Sequence, residues 1–326
     1  MSARVKLTLG GLAIGLVFLW LALLDADLAA TWQALRRIEW VWACVTFAAG
    51  VGFMAVKTWR WSRILGPFVT PGFGTLHSAV YIGTAANLMI AHTGEILRST
   101  LLARRQQVAA SAVLASVAVE RVFDFIALLV VLGLALVWDP GVSPILMSAG
   151  LVTLGFVAVG LVGLLAFLNP TPSLRRAGNT LLGLFPDRAR GWIVGQLEHG
   201  LAGLASMRNA GLVLQALALS LLQWAFIVAA VWASARAVGL SVPVPGAIAV
   251  FVLTVIGLTL PSSPAQVGTT QLAFVAGLQV FGVAPAAAFA ASWVYTCFVV
   301  VAMMLLGALC WVGSDWSPAA GPNSPA

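Results

Sequence analysis

Val108-AASAVLASVAVERVFDFIALLVVLGLALV-Trp138 is one apolar stretch with charge in its middle. No proline interrupts it, so at about 1.5 Å per residue it makes a helix roughly 46 Å long, more than the ~30 Å hydrocarbon core of a bilayer. Arg104 and Arg105 mark one interface and Trp138 the other. Glu120 then lies roughly 22 Å beyond Arg105, near mid-membrane. Glu120 and Asp124 are four residues apart, and Arg121 and Asp124 three apart, so all three share one side of the helix. Ionised groups at that depth cost roughly a few kcal/mol each, so they must face protein or a wet cavity.

The whole chain has the same character. It has 326 residues, 61% of them hydrophobic and only 8% charged, with a mean hydropathy of +1.02. That composition excludes a soluble domain and points to an all-α polytopic membrane protein. The first apolar run, 7–24, follows Arg4 and Lys6; it exceeds a signal-peptide core of about 7–15 residues and no small-x-small site follows, so it is expected to be a retained span. Cys44, Cys297 and Cys310 sit in apolar runs with no CxxC, and His77, His92 and His199 are scattered. No disulfide framework, metal or other cofactor is expected. The net charge of +7 fits a positive-inside bias and anionic lipid heads better than nucleic acid. Neither lysine, Lys6 or Lys57, lies in a phosphate-binding GxxxxGK[ST] loop, so no ATPase is expected in the chain.

Taken in order, spans are expected at 7–24, 40–56, 108–138, 145–168, 210–233 and 285–312. Lys57-Thr58-Trp59-Arg60-Trp61-Ser62-Arg63 reads as a basic aromatic belt at the interface, and most of the thirteen tryptophans as interfacial anchors. The run 75–91 is short and carries His77, Ser78, Tyr81, Thr84 and Asn87; it breaks at His92-Thr93-Gly94 and resumes to Arg105. This predicts a re-entrant helical hairpin with its tip near 87–94. A second hairpin is expected where 246–260 breaks at Pro261–Gln271 and resumes over 272–281. Between the halves, 169–209 is polar and basic, with Trp192, Ile193, Leu197, Leu201 and Leu204 at helical spacing. It reads as an amphipathic helix on the membrane surface or a solvated connector.

The expected architecture is therefore one transmembrane domain, 1–313, with about six full transmembrane helices and two re-entrant hairpins, followed by a disordered tail, 314–326. Gly94 to Trp138 and Gly268 to Val312 both span 44 residues, and the two hairpins would enter from opposite sides. That predicts an inverted repeat, first half 40–138 and second half 210–312. With both termini cytoplasmic, the inner segments carry 13 of the 17 Lys and Arg residues and the outer loops three. The expected location is the cytoplasmic (inner) membrane, multi-pass.

Three motifs stand out: Asn87-Leu88-Met89-Ile90-Ala91-His92-Thr93-Gly94-Glu95-Ile96-Leu97-Arg98, Glu120-Arg121-x-x-Asp124, and Pro261-Ser262-Ser263-Pro264-Ala265-Gln266-Val267-Gly268-Thr269-Thr270-Gln271. In this order the chain resembles the transmembrane region of the lysylphosphatidylglycerol synthetases and their stand-alone flippase-like relatives, some of them linked to hopanoid or archaeal glycolipid pathways. The resemblance covers about residues 5–312 and implies a membrane-embedded lipid handler. The family often has Pro at the position of Ile90, Arg at that of His92 and Gly at that of Ala265. One fewer fixed positive charge at the tip puts the same headgroup in doubt. The aminoacyl-transfer domain of the full-length synthetases is absent, so lysine transfer is not expected.

Glu95, Arg98, Glu120, Arg121 and Asp124 set two cations against three anions at depth. They can pin the hairpin to the long helix as ion pairs. Alternatively, an Arg with His92 and the helix start at Gly94 can bind a lipid phosphate, or Glu120 or Asp124 can carry protons. Local spacing makes Arg121 the structural cation and sets Arg98, beside the break, towards a cavity. Asn87 is expected to hydrogen-bond between helices. Ser262, Ser263, Gly268, Thr269, Thr270 and Gln271 either line a polar groove or satisfy broken backbone. The expected partners are membrane lipids, phosphate-bearing ones above all, and not nucleic acid; a homo-oligomer is open. The functions that fit are a flippase-like translocase, a membrane-embedded glycosyltransferase-like enzyme using the Asp25–Asp27 pair, and a non-transporting assembly factor.

Overall fold

The computed structural model describes residues 3–24, 26–66, 69–90, 93–138, 155, 210–258, 263–314 and 316, and every regular element named in them is helical. The expected span 145–168, the connector 169–209 and most of the tail lie outside the described residues. Helix α1 (Ala3–Leu23) turns through 88° into α2 (Leu28–Arg36). Asp27 makes the corner: its Oδ1 accepts from the N–H groups of Ala29 at 2.8 Å and Ala30 at 3.2 Å. Two otherwise unpaired donors at the start of α2 are thereby satisfied. The segment after the first span, expected as a loop, is thus helical over Leu28–Arg36. Thr31 in α2 donates from its hydroxyl to the Ala286 carbonyl at 3.2 Å, tying the corner to the last helix.

Helix α3 (Trp40–Leu65) runs straight through the stretch expected to be an interfacial belt. Arg60 and Trp61 are fully buried, whereas Trp59 is exposed. The belt therefore holds only for one face: residues 57, 60, 61 and 64 recur at helical spacing and turn inward, 59 and 63 outward. Helices α4 (Phe73–Met89) and α5 (Thr93–Gln106) form the first hairpin, and α6 (Ala110–Trp138) follows after a tight turn at Gln107 (φ 54°).

The second half contains α7 (Ala210–Ala237), α8 (Val244–Gly257) and α9 (Thr269–Gln279). A last continuous helix comprises α10 (Pro285–Tyr295), a π turn over Thr296–Val301, and α11 (Ala302–Gly313). Helices α3 and α7 pack along each other. Edge contacts link Trp42 to Trp232 at 5.3 Å, and tilted rings link Phe53 to Trp224 at 6.1 Å. The N–H of Glu39 donates to the Ala237 carbonyl at 2.9 Å and closes that pair at one end. Helix α4 packs on α5 and on α11, and α9 packs on α8, α10 and α1.

Among the described residues, three helices can cross a bilayer by length and composition: Trp40–Leu65, Gly211–Ala237 and Pro285–Gly313. The bent pair α1–α2 makes a fourth if taken as one span. Of the six expected, 145–168 is not described, and α6 is a 29-residue helix with three charged residues in its middle.

Both hairpins are built around close backbone contact. In the first, Gly94 presses on Gly83, and a Cβ at Gly94 would overlap the Gly83 carbonyl. Asn87 Oδ1 accepts from the Gly94 N–H at 2.6 Å, so the amide caps the new helix from the old one. In the second, Gly268 has φ +90°, a conformation L side chains rarely adopt, and presses on the backbone of Gly15. Here Gln271 Oε1 caps the Gly268 N–H at 2.7 Å, and its Nε2 donates to Thr296 Oγ1 in the π turn at 3.1 Å.

Gly94→Ala forces α4 and α5 apart and is expected to lower the thermal unfolding midpoint in detergent. Gly133→Ala, in α6 with open space around it, is expected to raise it through about 0.5–1 kcal/mol of helix propensity. An unchanged midpoint for Gly94→Ala would show that the hairpin does not need this contact.

Candidate functional site

Three helices bring ionisable side chains together, and a fourth adds polar ones. Helix α6 supplies Glu120 and Asp124, one turn apart on the same face, with Arg121 beside them. Helix α3 supplies Lys57, Arg60 and Trp61; α5 supplies Glu95 and Arg98, three residues apart. Helix α7 adds Ser220 and Gln223.

Glu120 joins two arginines from different helices. Its Oε1 accepts from Arg60 Nη2 at 3.2 Å and its Oε2 from Arg98 Nη2 at 2.5 Å. Arg60 Nη1 also donates to Asp124 Oδ1 at 2.5 Å and to Ser220 Oγ at 2.6 Å. Gln223 Nε2 donates to the same Asp124 oxygen at 3.4 Å. All six groups are buried: Arg60, Glu120 and Ser220 fully, Gln223 1%, Arg98 3% and Asp124 6% exposed. The Arg98 guanidinium lies 4.4 Å above the Trp61 ring, a cation–π contact, and Trp61 Nε1 donates to Ser116 Oγ at 2.9 Å. Stacking on an indole and pairing with a carboxylate fix the guanidinium plane at both ends.

Arg121 stands apart from this. Its side chain is 41% exposed, and its contacts are long, 3.6 Å to Asp124 Oδ2 and 3.9 Å to Glu95 Oε1. Local spacing assigned the two arginines the other way round. Arg98 is the locked, buried cation because its partner Glu120 lies 22 residues away, beyond the reach of a spacing rule. Arg121 is the loosely held one.

Of the residues singled out from the sequence, Glu95, Arg98, Glu120, Arg121 and Asp124 come together here. Asn87 and Gly94 form the adjoining hairpin turn. Gly268, Thr269, Thr270 and Gln271 are in the second turn, the last three buried, and Ser263 there donates to the Val267 carbonyl. No hydrogen bond or ion pair among the described residues joins this turn to the charge cluster. His92 and Ser262 lie outside the described residues, as does Asp25. Arg60, Lys57, Ser220 and Gln223 were not singled out. The signal for the first two was present: Lys57 and Arg60 are three apart, and Ile64 and Leu65 carry the apolar face beyond them. The carboxylates face guanidinium groups, and among the described residues no three His, Cys, Asp or Glu side chains are gathered for a metal ion.

A family model for the lysylphosphatidylglycerol synthase TM region matches residues 8–307. The matched stretch takes in both hairpins and every charge in the cluster, in agreement with the resemblance carried by the three motifs. No curated protein and no solved structure matches the chain. With the match running over nearly all of its length, this membrane protein belongs to the family of the lysylphosphatidylglycerol synthase transmembrane region.

Proposed function

We propose that the chain is a lipid translocase that carries an anionic or phosphate-bearing lipid across the cytoplasmic membrane, without an ATPase of its own. The observation that supports it most is the charge cluster: ionisable side chains from α3, α5 and α6 meet beside a broken hairpin in an otherwise apolar bundle. Charged groups are costly in a bilayer and, where retained, mark substrate or ion paths. Arg60, Arg98, Glu120 and Asp124 form the fixed part. Glu95 and Arg121, long-paired and more exposed, form the part that a headgroup can open.

An inverted repeat of six spans and two hairpins agrees with several parallels. The turn Pro264–Gln266 packs against α4, so the two broken segments are neighbours. In each hairpin a side-chain amide caps the glycine that starts the second helix. Helices interrupted near the midplane are the usual setting of a transporter's binding site. Ser263, Thr269, Thr270 and Gln271 would then line the second half of the path. The enzyme alternative relied on the Asp25–Asp27 pair, and the Asp27 carboxylate is engaged in capping α2.

The test is reconstitution into vesicles with fluorescent phosphatidylglycerol or fluorescent diacylglycerol and a membrane-impermeant quencher. The expected result is phosphatidylglycerol exchange between leaflets about tenfold or more above protein-free vesicles, with diacylglycerol unaffected and Glu95→Gln slower. Exchange no faster than in protein-free vesicles for any headgroup would favour an assembly factor. The orientation is tested in cells: a cysteine at Gly72, an open loop position, should react with an impermeant maleimide only after lysis, and one at exposed Ser241 in intact cells. The reverse pattern would put the termini outside.

A further inference from the structure

The cluster is not electrically balanced. Four cations, Lys57, Arg60, Arg98 and Arg121, meet three carboxylates, Glu95, Glu120 and Asp124. The ion pairs within 4 Å employ each arginine, but among the described residues none employs Lys57. Its ammonium instead lies 5.7 Å from the centroid of the Phe53 ring, one turn back along α3. One turn further on, Trp61 carries the Arg98 guanidinium 4.4 Å above its ring, so Lys57 and Arg98 flank the same face of α3. Arg98, only 3% exposed, keeps its Nη1 buried with no hydrogen-bond partner among the described residues, although Nη2 is bound to Glu120. So an ammonium one turn from Trp61, a guanidinium stacked on that ring and a half-exposed arginine 3.9 Å from Glu95, three residues before Arg98, border one region.

A surplus positive charge inside an apolar bundle is unfavourable unless an anion joins it or the ammonium gives up its proton. An anion that balances these groups carries negative charge and several acceptor oxygens, as a phosphodiester does. Lysine meets phosphate as a point charge, while arginine offers directed donors. We propose that Lys57, the unused Nη1 of Arg98 and Arg121 form an anion site that takes the phosphate of a lipid headgroup. This rests on the proposal that the chain carries phosphate-bearing lipids. It adds that the cargo enters as the counter-ion of Lys57 and leaves the Arg60–Glu120–Arg98 pairing intact.

The test is native mass spectrometry of the full chain in detergent, with phosphatidylglycerol and diacylglycerol of identical acyl chains, and with inorganic phosphate as competitor. The wild type should bind phosphatidylglycerol about tenfold or more tightly than diacylglycerol. Lys57→Gln should abolish that preference with diacylglycerol binding unchanged, and Lys57→Arg should keep it within about threefold. Millimolar inorganic phosphate should not displace the lipid; if it does, the ligand is a soluble anion and the lipid assignment is overturned. A Lys57→Gln protein that retains the preference, or one that no longer accumulates, overturns the site, since Lys57 would then be unused or structural. Exchange in vesicles that persists alongside a negative binding result would leave the translocase standing and move the anion site. Lys57-dependent binding without exchange would leave the site standing and remove the translocase.

Discussion

Glu120 holds one arginine on each carboxylate oxygen, Arg60 from α3 and Arg98 from α5. An isolated carboxylate in an apolar bundle is prohibitively costly, and so is an isolated guanidinium. Each of the three groups is therefore tolerable only while the others are in place. That mutual dependence fixes α6 against α3 and brings the second arm of the hairpin to both. Asp124 extends the network to α7 through Ser220 and Gln223, which share its oxygen or its arginine. Four helices far apart in sequence are thus brought to one register by polar groups, in a setting where apolar packing alone discriminates weakly between helix faces.

The pairing is uneven, and the unevenness bears on function. Where Glu120 meets Arg98 and Asp124 meets Arg60, contacts are 2.5 Å and the groups are buried. Towards Glu95 and Arg121 they lengthen to 3.6–3.9 Å and exposure rises. These longer pairs, with Arg121 41% exposed, are held less firmly than the buried pairs on Glu120 and Arg60. The glycine contact and the Asn87 cap meanwhile keep the hairpin turn beside this rim. A rigid interior with a loose edge suits the headgroup site proposed above.

Much of this was legible in the sequence. The charged middle of α6, the breaks at Gly94 and Gly268 and the family motifs are local patterns, and the hairpin breaks fall where composition put them. Arg60 was not legible, because Lys57–Arg63 has the composition of an interfacial belt. Only the three- and four-residue spacing of 57, 60, 61 and 64 separates its buried face from the face of Trp59 and Arg63. The carboxylate partners of Arg98 and Arg60 lie 22 to 64 residues away. Spacing within one helix offered Arg98 only Glu95 and gave Arg121 an apparent monopoly on Asp124. Asp27 shows the opposite case: beside Asp25 it resembled a catalytic pair, yet an Asp before an apolar run is also an N-cap signal, and that is how its oxygen is engaged.

The central claim is that the Arg98–Glu120 pair joins the hairpin to the bundle. A double-mutant cycle on thermal unfolding in detergent tests it most directly. Arg98→Met alone should cost about 3–5 kcal/mol, because Glu120 keeps a buried charge with one partner gone, and adding Glu120→Gln should recover a good part of it. Arg121→Met should cost about 1 kcal/mol or less. Additive losses for Arg98 and Glu120, or a larger loss for Arg121 than for Arg98, would contradict the account.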